Sequence, residues 1–413
     1  MKTKDVFTPG KFPTVTFIKS HLEEKTRHLK DALEAGGLVV SLSGPSKSGK
    51  TVFIEDSIGK DSLIHVTGAG VDHVSKLWMR VFDIIGTPVE VAEVAGKSFS
   101  GGLEGKMGGD VGFFVKGKAE AKASGTWQRN EGRQEVKAVD HLQLFIRDVK
   151  ESGYVLFIDD FHYVADDVKN QLAEEIKEAV RHGLNIVCAS VPYHSDDVLR
   201  ANKDLRGRIV ILDFDYWDPT LLRMIAQVGF AELKMDVADG LMNRLAAEAA
   251  GSPQLMQALC LNLCFELGIY ETSPKDFTVD NSTELFQKVC RRTALMTDYS
   301  TAVNTMNDGP KARGQERKPH KLKDGSVKDV YPIVVRALAM DPPQLTFRYN
   351  GLTERIRNLC EDEGPVGSSV TLACAHMARL ANESSNDTIV EWDGEHDVLD
   401  IRDPYLLFYL RWA

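Results

Sequence analysis

Gly44-Pro45-Ser46-Lys47-Ser48-Gly49-Lys50-Thr51 has the spacing G-x-x-x-x-G-K-[ST]. The apolar run Leu38-Val39-Val40-Ser41-Leu42-Ser43 precedes it and Val52-Phe53-Ile54 follows, so the stretch reads strand, loop, helix. A phosphate chain carries several negative charges. Backbone N–H groups at a helix N-terminus neutralise them, and Gly49 leaves room for close approach. In this reading Gly44, Pro45, Ser46, Lys47, Ser48, Gly49, Lys50, Thr51 and Val52 cradle nucleotide phosphates. Lys50 reaches the β- and γ-phosphates, and Thr51 sets its hydroxyl on a Mg2+ ion that bridges them. The bland alternative is a chance Gly/Ser loop before a helix, and the flanking pattern weighs against it.

Downstream, Tyr154-Val155-Leu156-Phe157-Ile158 is an apolar run that ends in two acids, Asp159-Asp160. A strand buried on both faces carries Asp159 to its C-terminal edge beside the loop, where the carboxylate can hold Mg2+ through water. Asp160 can then orient or deprotonate the attacking water. Many strands end in acids, so the weight comes from the phosphate loop upstream. Leu184 to Ser190 reads as a further buried strand; Ser190 is either a reader of the γ-phosphate or a plain strand-end serine. Asp204-Leu205-Arg206-Gly207-Arg208 precedes a last strand, Ile209 to Phe214. There Arg206 or Arg208 can reach a neighbouring subunit's nucleotide as an arginine finger, the alternative being surface ion pairing.

The chain has 413 residues and a formal net charge of -10, with a pI of about 5.6. The length implies about two or three domains, and the charge argues against a protein dedicated to coating nucleic acid. Six cysteines without C-x-x-C spacing read as reduced core thiols rather than metal ligands or disulfides. The opening MKTKDVFTPG has no apolar leader core, and no run approaches the ~18 apolar residues of a membrane span. A cytoplasmic location follows as the expectation.

The chain divides into five stretches. Residues 1–36 form a collar, a β-rich run from Phe7 to Phe17 and a helix from His21 to Leu33; a resemblance to P-loop ATPases, in which such a pre-strand segment commonly lines the adenine pocket, implies Pro13, Thr14 and Val15 beside the base, the alternative being plain packing. Residues 37–215 form an α/β core with strands and helices in alternation, including helices over 136–150 and Asp166 to His182. Within it, residues 97–126 alternate apolar and polar positions, which reads as a long inserted β-hairpin or a mobile glycine-rich loop. Residues 216–275 form a helical lid with helices over Thr220–Gln227, Val237–Ala249 and Pro253–Leu267, in which Pro253 can lie against adenine. Residues 276–325 read as a linker with a basic stretch of Lys311, Arg313, Arg317, Lys318, Lys321 and Lys323. Residues 326–413 give helices Val327–Leu338, Asn350–Cys360 and Ser368–Ala381, then strands Thr388–Trp392 and Val398–Ile401, the pattern of a winged helix.

The phosphate loop, the Val155–Asp160 run followed by Phe161-His162, the lid's Gly251-Ser252-Pro253 and the closing string Asp403 to Trp412 together resemble the AAA+/STAND ATPases of prokaryotes. The closing string is similar to the C-terminus of the archaeal-type ATPase family, in which a winged helix follows the ATPase core. The resemblance extends over residues 5–270 and, more loosely, 325–413. It implies ATP or ADP and Mg2+ as cofactors, homo-oligomers formed through the ATPase faces, and nucleotide turnover coupled to assembly. Members serve as switches in defence against phage or in genome maintenance. Two departures stand out: Gln254 replaces the arginine that often follows G-x-P, and Asp160 replaces the more usual glutamate, though aspartate is normal in STAND members. Both favour a slow switch over a processive motor.

Two functions are therefore expected. One is an oligomerising ATP switch acting on a separate effector protein, since the chain shows no nuclease, protease or NAD-consuming motif. The other is a DNA-binding ATPase of replication, transposition or repair, working through the winged helix and the basic stretch. Against the latter stand the acidic total and a third helix whose one cation is Arg379. A third class keeps the winged helix as a protein-interaction module with nucleotide bound for stability.

Overall fold

The apolar run before the phosphate loop becomes β1 (Val39–Ser43), buried at every position. The computed structural model describes residues 1–87, 140–191, 205, 207–311, 316–383, 385 and 388–413. β1 joins β2 (Leu63–Thr67), β3 (Val155–Asp159), β4 (Asn185–Ser190) and β5 (Ile209–Asp213) in one parallel sheet of order β2-β3-β4-β1-β5. The register pairs Ser43 with both Ser190 and Asp213, and Thr67 with Asp159, so these strand ends meet at one edge.

A parallel sheet must be covered on both faces. α2 (Glu23–Ala35) and α3 (Lys50–Ile58) cover one through Leu29, Ala32, Phe53 and Ile54 against Val40, Leu42 and Phe157. α4 (Val74–Ile85), α5 (His141–Val149) and α6 (Asp166–Arg181) cover the other, with Trp78, Phe82 and Phe145 against Ile64, Ile158 and Ile186. The start of α5 is fixed by Asp140, whose side chain accepts from the N–H of Gln143. The hairpin expected over 97–126 lies outside the described residues.

The collar departs from expectation. Phe7 to Phe17 carries no strand; a short α1 (Thr3–Val6) precedes an irregular segment tied down by side chains. Thr16 Oγ1 donates to Val6 O, and the N–H of Thr8 donates to Gln257 Oε1.

The lid holds α7 (Pro219–Glu232), α8 (Asp239–Glu248) and α9 (Pro253–Glu266). Asp218 and Ser252 cap α7 and α9, each with proline in the first turn, where its missing N–H costs nothing. The second lid helix starts after Val237 because Met235–Val237 pairs as β6 with β7 (Phe277–Val279).

Residues 276–325 are not a linker. They hold β7, α10 (Thr283–Ala294), α11 (Ser300–Asp308) and β8 (His320–Lys321), which pairs with β9 (Val327–Lys328). Phe286, Val289, Cys290 and Ala294 lie at helical spacing and complete the lid core, while Ala302 and Met306 enter the next one. The polar texture belongs to exposed faces and turns, and Ser282 supplies the N-cap of α10.

After β9 come α12 (Val330–Leu338), β10 (Thr346–Arg348), α13 (Tyr349–Leu359), α14 (Gly367–Glu383), β11 (Val390–Asp393), β12 (Val398–Ile401) and α15 (Pro404–Trp412). The strands make an antiparallel sheet of order β10-β12-β11, of which β10 was not anticipated. α15 belongs to two cores: Leu406 and Leu407 pack with the C-terminal helices, Tyr405 and Phe408 with the lid. Arg411 Nη2 donates to Glu248 Oε1 at 2.8 Å and Trp412 Nε1 to Glu248 Oε2 at 2.7 Å, so the chain end is clamped onto α8. Among the described residues no helix is long and apolar enough to cross a membrane.

Candidate nucleotide site

The loop from Gly44 to Gly49 leaves the C-terminal edge of β1 and runs into α3. Its entry is tight: a Cβ on Gly44 would stand 2.5 Å from both Cβ and O of Phe214, and the Gly44 N–H donates to Ser190 O. Its exit bends through Gly49 at φ +97°, a conformation that L side chains rarely adopt. Lys50 folds back into the loop, where Nζ donates to Gly44 O at 2.7 Å and Pro45 O at 2.8 Å. Burial pulls its pKa down to about 8, with Asp159 and Asp160 opposing the shift.

Thr51 Oγ1 donates to Asp159 Oδ2 at 2.7 Å, which joins the helix start to the end of β3. His65 on β2 places Nε2 3.5 Å from the same oxygen. Burial pushes the Asp159 carboxyl up, but the hydrogen bonds from His65 and Thr51 outweigh it and hold the group below its ordinary value. Asp160 follows at φ +54°, and its N–H donates to Asp159 Oδ1. Thr51 and Asp159 are hard oxygen donors, the kind that Mg2+ takes.

Lys50, Thr51, Asp159 and Asp160 line a cavity of about 1020 Å³. Pro45 through Val52, Asp159, Asp160, Ser190, Pro13 and Pro253 all face it; Gly44 does not line it, being packed against Phe214. Ser190 Oγ is buried without a hydrogen-bond partner. Val15 does not line the cavity; it packs against the lid core, and Thr14 is not in the lining either. In an irregular segment neighbouring side chains diverge, so Pro13 and Val15 need not share a face. Arg208 is exposed at the N-terminal end of β5, the sheet edge opposite the loop, and so cannot reach its own chain's cavity. Arg206 lies outside the described residues.

Six further residues line the site, from the lid and the C-terminal module. Trp217 Nε1 donates to Ser48 O at 3.1 Å, with His21 edge-on against its ring. Gln254 and Gln257 of the lid also line the cavity. The C-terminal module supplies Glu391, Arg402 and Asp403, with Arg402 Nη2 2.8 Å from Glu391 Oε2. Lys47 Nζ donates to both oxygens of Asp403, at 2.9 and 2.7 Å. Of these, Gln254 was marked in the sequence as the residue after G-x-P and Asp403 lay in the closing string, but neither signal named a contact; Trp217, Gln257, Glu391 and Arg402 carried no site signal.

No protein-family model matches the chain, and no curated protein matches it. Among solved structures it is similar to a Walker-type ATPase of Pyrococcus abyssi, with a TM-score of 0.52 and 14% identity over 94% of this chain and 95% of that one. It is also similar to the ORC2 protein of Aeropyrum pernix, solved as ADPNP-ADP complexes, with a TM-score of 0.49 and 12% identity over 98% and 96%. A third is Cdc6p from Pyrobaculum aerophilum, with a TM-score of 0.43 and 13% identity over 98% and 96%. The sheet order, the phosphate loop after β1, the paired acids after β3 and the Pyrococcus likeness agree: this chain has the fold of the AAA+ P-loop ATPases.

Proposed function

We propose that the chain is a Mg2+-dependent ATPase whose ATP or ADP state governs its assembly and the action of its C-terminal module. The observation that carries this reading is the convergence of Lys50, the Thr51–Asp159 pair and Asp160 in one cavity. Lys50 exchanges its two loop carbonyls for the β- and γ-phosphates. Thr51 and Asp159 would hold a Mg2+ ion, which would supply positive charge to offset that of the phosphates. Asp160 positions the attacking water and accepts its proton, and Ser190 Oγ can donate to the γ-phosphate. Pro13 and Pro253 flank the space left for the base. The test is equilibrium ATP binding and turnover by the wild type and Lys50→Ala; unchanged turnover in the variant would refute the site.

The position of Arg208 suits a role in trans, with Arg206 beside it in sequence, so the working form is a homo-oligomer in which one chain completes its neighbour's site. The switch then acts on an effector protein in the cytoplasm. For an antiphage setting no residue speaks, and it is not part of the proposal. A DNA-acting ATPase stands ahead of it. What favours DNA is the order of three helices and an antiparallel sheet in the C-terminal module, that of a winged helix. Four cations of the basic stretch and the module are held in ion pairs, Lys321 with Glu361, Arg317 with Asp329, Arg336 with Asp324 and Arg379 with Glu383. Duplex binding measured across a salt series decides between the two, since each phosphate contact steepens the dependence.

A further inference from the structure

Asp160 is held in a left-handed conformation, φ +54° and ψ 39°, that few residues other than glycine adopt. Such a conformation persists only where its surroundings fix it, and the turn that follows β2 does part of the fixing. The Gly68 N–H donates to Asp159 O at 2.7 Å, so the turn rests against the peptide that joins the two acids. A Cβ on Gly68 would stand 2.6 Å from Asp160 O and 3.1 Å from the Cα of Phe161, so this glycine lies directly on the left-handed residue. Ala69, next in the turn, lines the same cavity as Asp160. The turn is itself clasped from outside. Arg80 on α4 brings one guanidinium nitrogen, Nη1, to two of its carbonyls, Thr67 O and Ala69 O, the second at 2.9 Å. Arg80 does not line the cavity.

We propose that Arg80 is a positioning residue for hydrolysis: it clasps the turn after β2 so that Gly68 keeps Asp160 left-handed, with its carboxylate in the cavity. This rests on the ATPase reading. Two carbonyl oxygens that converge on one point repel each other unless a donor lies between them, and a charged donor holds them most firmly. Without the guanidinium the turn opens, and the contact of Gly68 with the acids loosens. Asp160 can then relax toward a right-handed or extended conformation, which swings its carboxylate away from the attacking water. A general base must stay within hydrogen-bond reach of the proton it takes, so the chemical step slows. The nucleotide is held by Lys50 and the phosphate loop through contacts that do not involve the turn, so ATP binding is spared.

The test measures ATP affinity and single-turnover hydrolysis of the full chain for Arg80→Ala, Arg80→Lys, Asp160→Asn and the variants that combine each Arg80 change with Asp160→Asn. Arg80→Ala should slow hydrolysis by about tenfold while ATP affinity stays within about twofold of the wild type. Arg80→Lys should recover part of the rate, since an ammonium can donate to both carbonyls but lacks the planar fork. Adding Arg80→Ala to Asp160→Asn should slow hydrolysis no further, because the carboxylate that Arg80 positions is already gone. A merely structural role would slow both backgrounds by the same factor. Should Arg80→Ala prove too unstable to assay, Arg80→Lys with and without Asp160→Asn makes the same comparison. If the unmodified protein binds no ATP, or Asp160→Asn hydrolyses at the wild-type rate, the ATPase reading of these residues fails. If Asp160→Asn is slow, but Arg80→Ala keeps the wild-type rate, loses ATP affinity or slows Asp160→Asn equally, the role of Arg80 alone fails.

Discussion

Thr51 Oγ1 and Asp159 Oδ2 lie 2.7 Å apart although 108 residues separate them in sequence. The contact exists because β1 and β3 end at the same sheet edge with β4 between them, so the first turn of α3 faces the end of β3. Removing the carboxylate by Asp159→Ala should abolish the Mg2+ dependence of ATP binding and lower turnover by about a hundredfold or more. Titrating ATP with and without Mg2+ checks this; a variant as Mg2+-dependent as the wild type would refute the role.

Lys50 should give the site a pH signature. Its pKa of about 8 means that the free protein carries the ammonium below that pH and loses it above. Phosphate binds the charged form and raises its pKa, so ATP binding should take up a proton and weaken as pH rises past 8, by at most about tenfold per unit. Calorimetry in buffers of different ionisation heat reads the proton uptake. Equal affinity at pH 7 and pH 9 would contradict the assignment.

The pair Arg411–Glu248 should matter for stability rather than turnover. Both side chains are 7% exposed, and Trp412 donates to the same glutamate. Glu248→Ala leaves a buried guanidinium with fewer partners and should cost about 3–5 kcal/mol. Denaturant unfolding measures it; a loss below about 1 kcal/mol would show that α15 is held mainly by its apolar face.

Arg208 offers a test of sharing between chains. Its exposed position away from its own cavity means that Arg208→Ala should lose turnover while keeping ATP affinity. Mixing it with Lys50→Ala should restore part of the lost rate, because mixed interfaces pair an intact loop with an intact arginine. No recovery in subunit-exchanging mixtures would rule the finger out.

The core of the site was legible because its signals are local. A loop of fixed spacing between an apolar run and a helix, and a strand ending in two acids, each depend on a few neighbouring residues. What escaped depends on distant ones. Lys47 and Asp403 meet only because α15 packs into the lid, and no pattern around either residue announces it. The stretch 276–325 was misread for a related reason. α10 shows its apolar side once every three or four residues, and the polar residues between dominate its average. β6 and β7 are three residues each, too short for alternation to register. Val15 was placed beside the base by the resemblance of its pre-strand segment to that of P-loop ATPases, yet direction in an irregular segment is set by contacts such as Thr16 with Val6.

The division of labour between the paired acids is tested most directly by Asp160→Asn, which keeps shape and hydrogen bonding while removing the base. ATP affinity and single-turnover hydrolysis should be measured on the same preparation with Mg2+. The expected result is affinity within about twofold of the wild type, with hydrolysis slower by about a hundredfold or more. Hydrolysis at the wild-type rate, or loss of ATP binding equal to that of Lys50→Ala, would contradict it.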